Sequence, residues 1–280
     1  MRDAFDVIPA GATVRVVGVP SSEQMEMINE ANIGSTERVG FISDIHSQKK
    51  LFDIALKVIF EKNQCDRVVF VGDVIDRERN PNESIEKLQT IFDMGKKAVY
   101  IAGNHERDTL LQIYAPEIWE KNMEDHKKTH DLKPNYEVAK LLKQKRFAHL
   151  LEMLKGLPLY FENDDVFAVH SGLRDSSVEA TKKELDDLLD DPANQGYCAY
   201  PIELMEGLKN DQEEGAVDSN KLIISGHFHR PGLSAGEMVG FNQRLRLGHE
   251  KGFLHIRTVS DDQQSLVTLV QDGDSIYSIY

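Results

Sequence analysis

Hydrophobic positions follow two different periods along the first hundred residues. Short β-branched runs that stop at glycine or a polar residue predict strands, for example RVVFV (67–71) and AVYI (98–101). Apolar residues three and four positions apart predict helices over 49–63 and 82–95, the second with Asn82 as its N-cap. The resulting β-α-β-α-β order is typical of a mostly parallel sheet.

The pattern changes outside this region. Residues 1–37 form an N-terminal extension with a predicted strand at 12–20, and residues 108–157 predict a helical insertion. The C-terminal tail alternates like antiparallel strands around a turn at Asp272-Gly273. We expect these parts to belong to a single domain over residues 1–280.

Composition and charge narrow the class of protein. With 40% apolar and 29% charged residues, the chain has the make-up of a soluble globular protein. The net charge of −14 argues against stable nucleic-acid binding and against binding to anionic membranes. Cys65 and Cys198 lie in no metal-binding spacing and predict a reducing compartment. With no signal-peptide core and no run near the ~18 apolar residues of a membrane helix, we expect a cytoplasmic protein.

Five predicted strands are each followed by polar residues that can bind ligands. In chain order these residues are Asp44 and His46, then Asp73, Asp76 and Arg77, then Asn104 and His105, then His170, and finally His227 and His229. Each stretch alone is a common turn sequence. Together they predict a site at the carboxyl edge of the sheet, where open α/β proteins bind ligands.

The residue types in these stretches suit a pair of divalent cations. Carboxylate, amide and imidazole ligands fit Mn²⁺, Fe, Zn²⁺ or Mg²⁺, and the lack of thiolates argues against a structural zinc. In a two-metal site one carboxylate bridges cations ~3.5–4 Å apart. Asp73 is the natural bridge, because it follows the middle strand of the β-α-β-α-β unit.

The motif series over residues 39–230 resembles the calcineurin-like metallophosphoesterase superfamily. Its elements are Asp-x-His, Gly-Asp-x-x-Asp, Gly-Asn-His-Glu, a single His and Gly-His-x-His. The segments GDVIDR, GNHE and LLEMLKGLPLYFENDDVFAVHSGL are similar to the serine/threonine phosphoprotein phosphatase branch. The resemblance implies a four-layer α/β/β/α sandwich, here with a helical cap insertion.

The resemblance also implies a role for each motif residue. The first metal ion would be held by Asp44, His46, Asp73 and His229, and the second by Asp73, Asn104, His170 and His227. His105 would be the general acid, Asp76 would orient it, and Arg77 would bind phosphate oxygens. We expect Mn²⁺ at both positions, with Fe, Zn²⁺ and Mg²⁺ as alternatives.

Three features depart from the pattern of the phosphoprotein phosphatases. Ala102 stands where an arginine usually precedes Gly-Asn-His-Glu, and Ser43 and Ser47 replace two glycines. The second histidine of Gly-His-x-His is more typical of the wider superfamily. Without the usual arginine, substrate binding would rely on Arg77 and Asn104, and on nearby arginines as substitutes: Arg107, Arg174 or Arg230.

The leading hypothesis is a phosphomonoesterase of protein phosphatase type that uses a metal-bridging hydroxide. A nucleotide polyphosphate hydrolase similar to the symmetrical diadenosine tetraphosphatases is the first alternative, favoured by a basic stretch at 126–149. A phosphodiesterase is favoured only by Gly-His-x-His. A non-catalytic scaffold would be expected to lose His105 or metal ligands. The expected partner is therefore a phosphorylated protein or nucleotide, and the missing GxxxxGK[ST] motif argues against an ATPase.

Overall fold

The structure is a computed structural model that describes part of the 280-residue chain. The described residues are 37–46, 48–77, 80–117, 119–120, 136–170, 173, 177–190, 221–227, 245–246, 252–255, 268–272 and 275–279. The predicted strand at 12–20 lies outside these residues, as does the first part, 126–135, of the basic stretch 126–149. Four predicted or singled-out side chains also lie outside them: Ser47, Arg174, His229 and Arg230.

The described strands form two sheets. In chain order they are β1 (Arg38–Ile42), β2 (Arg67–Val71), β3 (Ala98–Ile101), β4 (Tyr160–Glu162), β5 (Val166–Val169), β6 (Leu222–Ser225), β7 (Leu245–Arg246), β8 (Gly252–His255), β9 (Thr268–Asp272) and β10 (Ser275–Ile279). The larger sheet has the order β3-β2-β1-β9-β10-β7, and the smaller sheet has the order β4-β5-β6-β8.

The described α-helices lie between these strands. They are α1 (Lys49–Lys57), α2 (Asn82–Met94), α3 (Asn104–Tyr114), α4 (Tyr136–Leu142), α5 (Ala148–Lys155) and α6 (Val178–Asp190). Helix α1 continues as a π-helical segment, Val58–Lys62, so both helices predicted in the first hundred residues are confirmed. No helix among the described residues is long and apolar enough to cross a membrane.

The predicted N-cap of α2 is wrong by one residue. Pro81 occupies the N-cap position, and Asn82 is the first helical residue. The side-chain oxygen of Asn80 accepts the backbone N–H of Asn82 at 3.2 Å. Asn80 thus supplies the acceptor that the prediction assigned to Asn82.

Strand pairing confirms the parallel β-α-β-α-β unit. β2 pairs parallel with both β1 and β3, which places the carboxyl ends of all three strands at one edge. The predicted antiparallel pair in the tail is β9 and β10, and β9 extends the sheet by pairing antiparallel with β1. The start of the tail differs from this prediction, because β8 joins the other sheet parallel to β6.

The layers follow from the alternation of side chains on each strand. On β2, Phe70 lies in the main core and stacks on Phe52 of α1, with ring centroids 5.7 Å apart. On β1, Phe41 instead makes an edge contact with Phe161 of β4, which joins the two sheets. Helix α6 packs against the outer side of the smaller sheet, with Leu185 in one cluster with β5 and β6. Helices thus cover both sheets, as the α/β/β/α class requires.

Candidate metal centre

Loops after five strands meet at one edge of the sandwich. The His46 N–H donates to the Asp73 carbonyl at 3.0 Å, which joins the loops after β1 and β2. The Asp44 carboxylate accepts the backbone N–H of His227 at 3.0 Å, which joins the loops after β1 and β6. Asn104, after β3, contacts His170, after β5, at 3.1 Å. The structure therefore brings the sequence-predicted loops together.

Asp73 lies at the centre of this arrangement. Its Oδ2 atom is 3.4 Å from His170 Nε2, 3.7 Å from His46 Nε2 and 3.9 Å from His105 Nε2. Two groups of side chains have potential ligand atoms within 4.8 Å of one another: His46, Asp73 and His105, and Asp73, His170 and His227. Asp73 belongs to both groups, as expected of a bridging carboxylate.

The backbone orients two of the imidazole rings toward this carboxylate. His170 Nδ1 lies 2.8 Å from the Val71 carbonyl, and His46 Nδ1 lies 3.2 Å from the Ile75 carbonyl. An Nδ1–H that donates to a carbonyl leaves Nε2 as the metal-binding nitrogen, a common arrangement around metal sites. Within the described residues, the buried His46 Nε2 has no hydrogen-bond partner.

The donor set fits divalent cations. Asp73 Oδ2 and Asn104 Oδ1 both face His170 Nε2, at 3.4 and 3.1 Å. Asn104 Oδ1 also lies 2.9 Å from His227 Nδ1. Oxygen and nitrogen lone pairs directed at one buried region require positive charge there, and an N/O set without thiolates suits Mn²⁺, Fe, Zn²⁺ or Mg²⁺.

Asp44 differs from the other predicted ligands in its surroundings. Its carboxylate accepts the backbone N–H of His227 and the hydroxyl of Ser43. Asp44 is absent from both ligand groups, although it is only 3% exposed and adjoins them. Its assignment to the first cation therefore stays a prediction, as does that of His229.

Strained backbone is concentrated at the site. Among described residues other than glycine, six predicted site residues have φ between 40° and 76°: Asp44, His46, Asp73, Asp76, Arg77 and His227. Gln64 is the remaining example. Such conformations persist where surrounding contacts over-determine them, and they cluster at functional sites. Gly72, with φ of 80°, is needed because a Cβ there would lie 2.3 Å from His170 Nδ1.

His105 connects the cluster to two more predicted residues. Its Nδ1 lies 2.8 Å from Asp76 Oδ2, and its Nε2 lies 3.2 Å from Arg77 Nη2. Burial lowers the pKa of His105, but the carboxylates of Asp73 and Asp76 raise it to about 9. The raised pKa favours the protonated form of His105, which could donate a proton beside an exposed guanidinium.

Neighbouring charges shift the pKa values of the other site groups as well. Burial raises the pKa of Asp73, but His170 and His105 outweigh it and lower this pKa well below its usual range. Burial lowers the pKa of His170, and Asp73 then raises it to about 10. Burial, followed by repulsion from His105, holds the pKa of His46 well below 6.5, which favours the neutral, metal-binding form.

Sequence reasoning gave no role to Glu106, although the structure places it behind the site. Its fully buried carboxylate accepts the Tyr100 hydroxyl at 2.6 Å and four backbone N–H groups at 2.9–3.3 Å: Asp73, Val74, Ile75 and Gly103. Glu106 thereby holds the loop that carries Asp73. The signal was present in Gly-Asn-His-Glu, since Glu106 is the N3 residue of α3 and its side chain accepts the backbone N–H of the N-cap residue Gly103, which is one half of a capping box.

Two predicted substrate-binding residues on α3 have different environments. Asn104 is partly exposed and contacts His170 and His227, whereas Arg107 is only 6% exposed. Arg107 is about as buried as His46, at 7%, so burial alone does not decide its role. Both assignments stay predictions.

Two facing sheets with a largely buried His/Asp/Asn cluster at their strand ends define a metal-binding α/β protein. The chain belongs to the calcineurin-like phosphoesterase family, whose family model matches residues 37–231. Membership confirms the superfamily resemblance predicted from the sequence, and the family is one of phosphoesterases.

A curated relative and solved structures extend the comparison. A symmetrical bis(5'-nucleosyl)-tetraphosphatase from Nitrosococcus oceani is 25% identical over 179 residues, which is 60% of this chain and 59% of the relative. The chain thus spans about three fifths of that relative's length. A metallophosphoesterase from Sphaerobacter thermophilus is 13% identical, with 87% of each chain covered and a TM-score of 0.45. A serine/threonine phosphatase from Saccharomyces cerevisiae is 16% identical, with 87% of this chain and 79% of that chain covered and a TM-score of 0.45.

Proposed function

We propose that this chain hydrolyses phosphoric monoesters with the help of two divalent cations. The observation that carries the proposal is the position of Asp73, which is common to both groups of potential ligand atoms. Asp44, His46, Asp73 and His229 would hold one cation, and Asp73, Asn104, His170 and His227 would hold the other. When bound, the cations would supply Lewis-acid activation of a water and would offset phosphoryl charge, a role for which we propose Mn²⁺.

Side chains of the protein itself would donate the proton, bind the phosphoryl oxygens and position Asp73. His105 Nε2 would donate a proton to the leaving oxygen, and the 2.8 Å contact of Nδ1 with Asp76 would hold the ring in place for that transfer. Arg77 is exposed and lies 3.2 Å from the same Nε2, so its guanidinium can bind phosphoryl oxygens beside the proton donor. Glu106 would keep Asp73 in position through its backbone hydrogen bonds.

The leading substrate class is a phosphomonoester such as a phosphorylated serine or threonine side chain. Similarity of GDVIDR and GNHE to the phosphoprotein phosphatase branch supports it. A second candidate, a nucleotide polyphosphate, is supported by the tetraphosphatase relative. Ala102, in place of the usual arginine, weakens the phosphoprotein assignment and keeps the second candidate in the comparison. The proposed setting is the cytoplasm.

A comparison of four substrates tests the proposal. Purified chain is depleted of metal with a chelator and reloaded separately with Mn²⁺, Zn²⁺ or Mg²⁺. Rates are then measured on a phosphopeptide, a mononucleotide, diadenosine tetraphosphate and a bis-aryl phosphodiester. We expect cation-dependent hydrolysis that is fastest on the phosphopeptide, whereas a preference for diadenosine tetraphosphate would favour the second candidate. Hydrolysis that survives complete metal removal would refute the cation-dependent mechanism.

A further inference from the structure

Helix α2 carries a fully buried ammonium group that lies beside the metal centre. Lys87 is 0% exposed and ranks in side-chain volume with Phe52 and Phe70 among fully buried residues. Its Nζ donates a hydrogen bond to the backbone carbonyl of His46, 41 residues earlier in the chain. A buried ammonium loses its hydration, so it persists only where protein acceptors replace water. The His46 carbonyl is one such acceptor.

His46 is held at two other polar atoms. Its backbone N–H donates to the Asp73 carbonyl at 3.0 Å, and its Nδ1 lies 3.2 Å from the Ile75 carbonyl. With φ of 40°, the His46 backbone has a left-handed conformation that needs strong restraint. Lys87 provides restraint on the carbonyl side. The one remaining polar atom, Nε2, then lies 3.7 Å from Asp73 Oδ2.

The same turn of α2 also restrains the second loop of the site. Ser84 Oγ accepts the backbone N–H of Asp76 at 3.1 Å. Ser84 and Lys87 are three residues apart, so they lie on the same face of the helix. One helical turn therefore contacts the loop that carries His46 and the loop that carries Asp73 and Asp76.

We infer that Lys87 is a positioning residue for the first proposed cation. Its ammonium fixes the His46 peptide, which directs His46 Nε2 toward Asp73. Lys87 acts through a ligand's backbone and is not a catalytic residue. This inference rests on the proposed function, because it requires a cation between His46 and Asp73.

The variant Lys87→Met tests the inference, because methionine keeps a long apolar stem and removes the ammonium. Metal-depleted full-length chain is titrated with Mn²⁺ by calorimetry. We expect affinity at one of the two sites to fall about 10–100-fold, as is usual when an outer contact of a ligand is lost. Ile91→Val is the matched control, since it trims a buried apolar side chain of the same helix and leaves the Lys87 ammonium in place. It should bind Mn²⁺ within twofold of wild type.

The outcomes separate this inference from the proposed function. Wild-type chain that binds no Mn²⁺ would overturn both. If wild type binds Mn²⁺ and Lys87→Met binds it equally tightly, only the role of Lys87 is overturned. The same holds if Ile91→Val loses as much Mn²⁺ affinity as Lys87→Met. Melting temperatures in chelator show whether each variant folds. If Lys87→Met does not fold, Lys87→Gln replaces it. The glutamine side chain is uncharged and one bond shorter than lysine, so we expect at least a fivefold loss of Mn²⁺ affinity. Unchanged affinity would refute the inference.

Discussion

His105 Nδ1 lies 2.8 Å from Asp76 Oδ2, and this contact leaves His105 Nε2 directed toward Arg77 and Asp73. The same imidazole is thus placed either to donate a proton or to join a cation, because its Nε2 is 3.9 Å from Asp73 Oδ2. Histidine at the edge of a metal cluster can play either part, and the two roles have different consequences for metal content.

His105→Ala separates these roles. We expect the hydrolysis of p-nitrophenyl phosphate to slow by about 10²–10⁴-fold, the usual contribution of a general acid, while both cations stay bound. Asp76→Asn should cause a smaller loss, because it removes only the group that orients the ring. Steady-state rates and metal content by mass spectrometry measure both effects. A fall in bound metal in His105→Ala would reassign His105 as a ligand.

Asp73→Asn should empty both cation positions. Asp73 is common to the two ligand groups, and replacing one carboxylate oxygen with an amide removes a negatively charged ligand from each. We expect fewer than one tightly bound Mn²⁺ per chain after gel filtration. Asp53→Asn is the matched control, since Asp53 pairs with Lys49 on α1 and belongs to neither ligand group. Two retained ions in Asp73→Asn would contradict the bridging role.

Glu106→Gln should destabilise the fold far more than the similar shapes of the glutamate and glutamine side chains suggest. One carboxylate oxygen accepts from Val74, Ile75 and Tyr100, and the other accepts from Asp73 and Gly103. A glutamine amide in either orientation would turn its N–H₂ toward at least two donors. We expect a loss of about 3 kcal/mol in the free energy of unfolding, measured by urea denaturation without metal.

Tyr100→Phe is the control for that measurement. It removes only the hydroxyl that donates to Glu106 at 2.6 Å, so we expect a loss of about 1 kcal/mol. Equal losses in the two variants would show that the backbone hydrogen bonds to Glu106 contribute little.

Glu162→Gln should weaken the second sheet in a pH-dependent way. Burial raises the pKa of Glu162, but hydrogen bonds from Lys182 at 2.6 Å and Lys221 at 2.8 Å outweigh it and lower this pKa below 4.5. A carboxylate with a lowered folded-state pKa stabilises the fold above its unfolded pKa. The stability difference between wild type and variant should thus be complete at pH 7. It should disappear as the pH falls through the lowered pKa.

Denaturation at pH 7 and at pH 3 measures this difference. We expect about 1–3 kcal/mol at neutral pH, since two charged hydrogen bonds are lost. Glu152→Gln is the control: its 3.3 Å pair with Lys155 is exposed, with 68% of the Glu152 side chain accessible, and should contribute little at either pH. A pH-independent difference for Glu162→Gln would contradict the electrostatic explanation.

Much of the framework could be predicted from local pattern. The β-branched run of β2 and the three-and-four spacing in α1 report which side chains face the core, and that information lies in neighbouring residues. The sequence also predicted that the polar residues after the strands form one site, because parallel strands bring their carboxyl ends to one edge. The N-cap of α2 was missed because Asn82 is a good side-chain acceptor, and only backbone geometry shows that Pro81 is the N-cap and that Asn80 supplies the acceptor.

The amino-acid sequence by itself determined which residue types reach the sheet edge: aspartates, an asparagine and histidines suited to cations. Tertiary structure alone decided how they are held. The contact from Lys87 to His46 spans 41 residues, and the one from Glu106 to Asp73 spans 33. The parallel pairing of β8 with β6 likewise depends on distant partners. Such contacts form only when separate segments pack, because a buried charge must find its acceptors or donors wherever the fold places them.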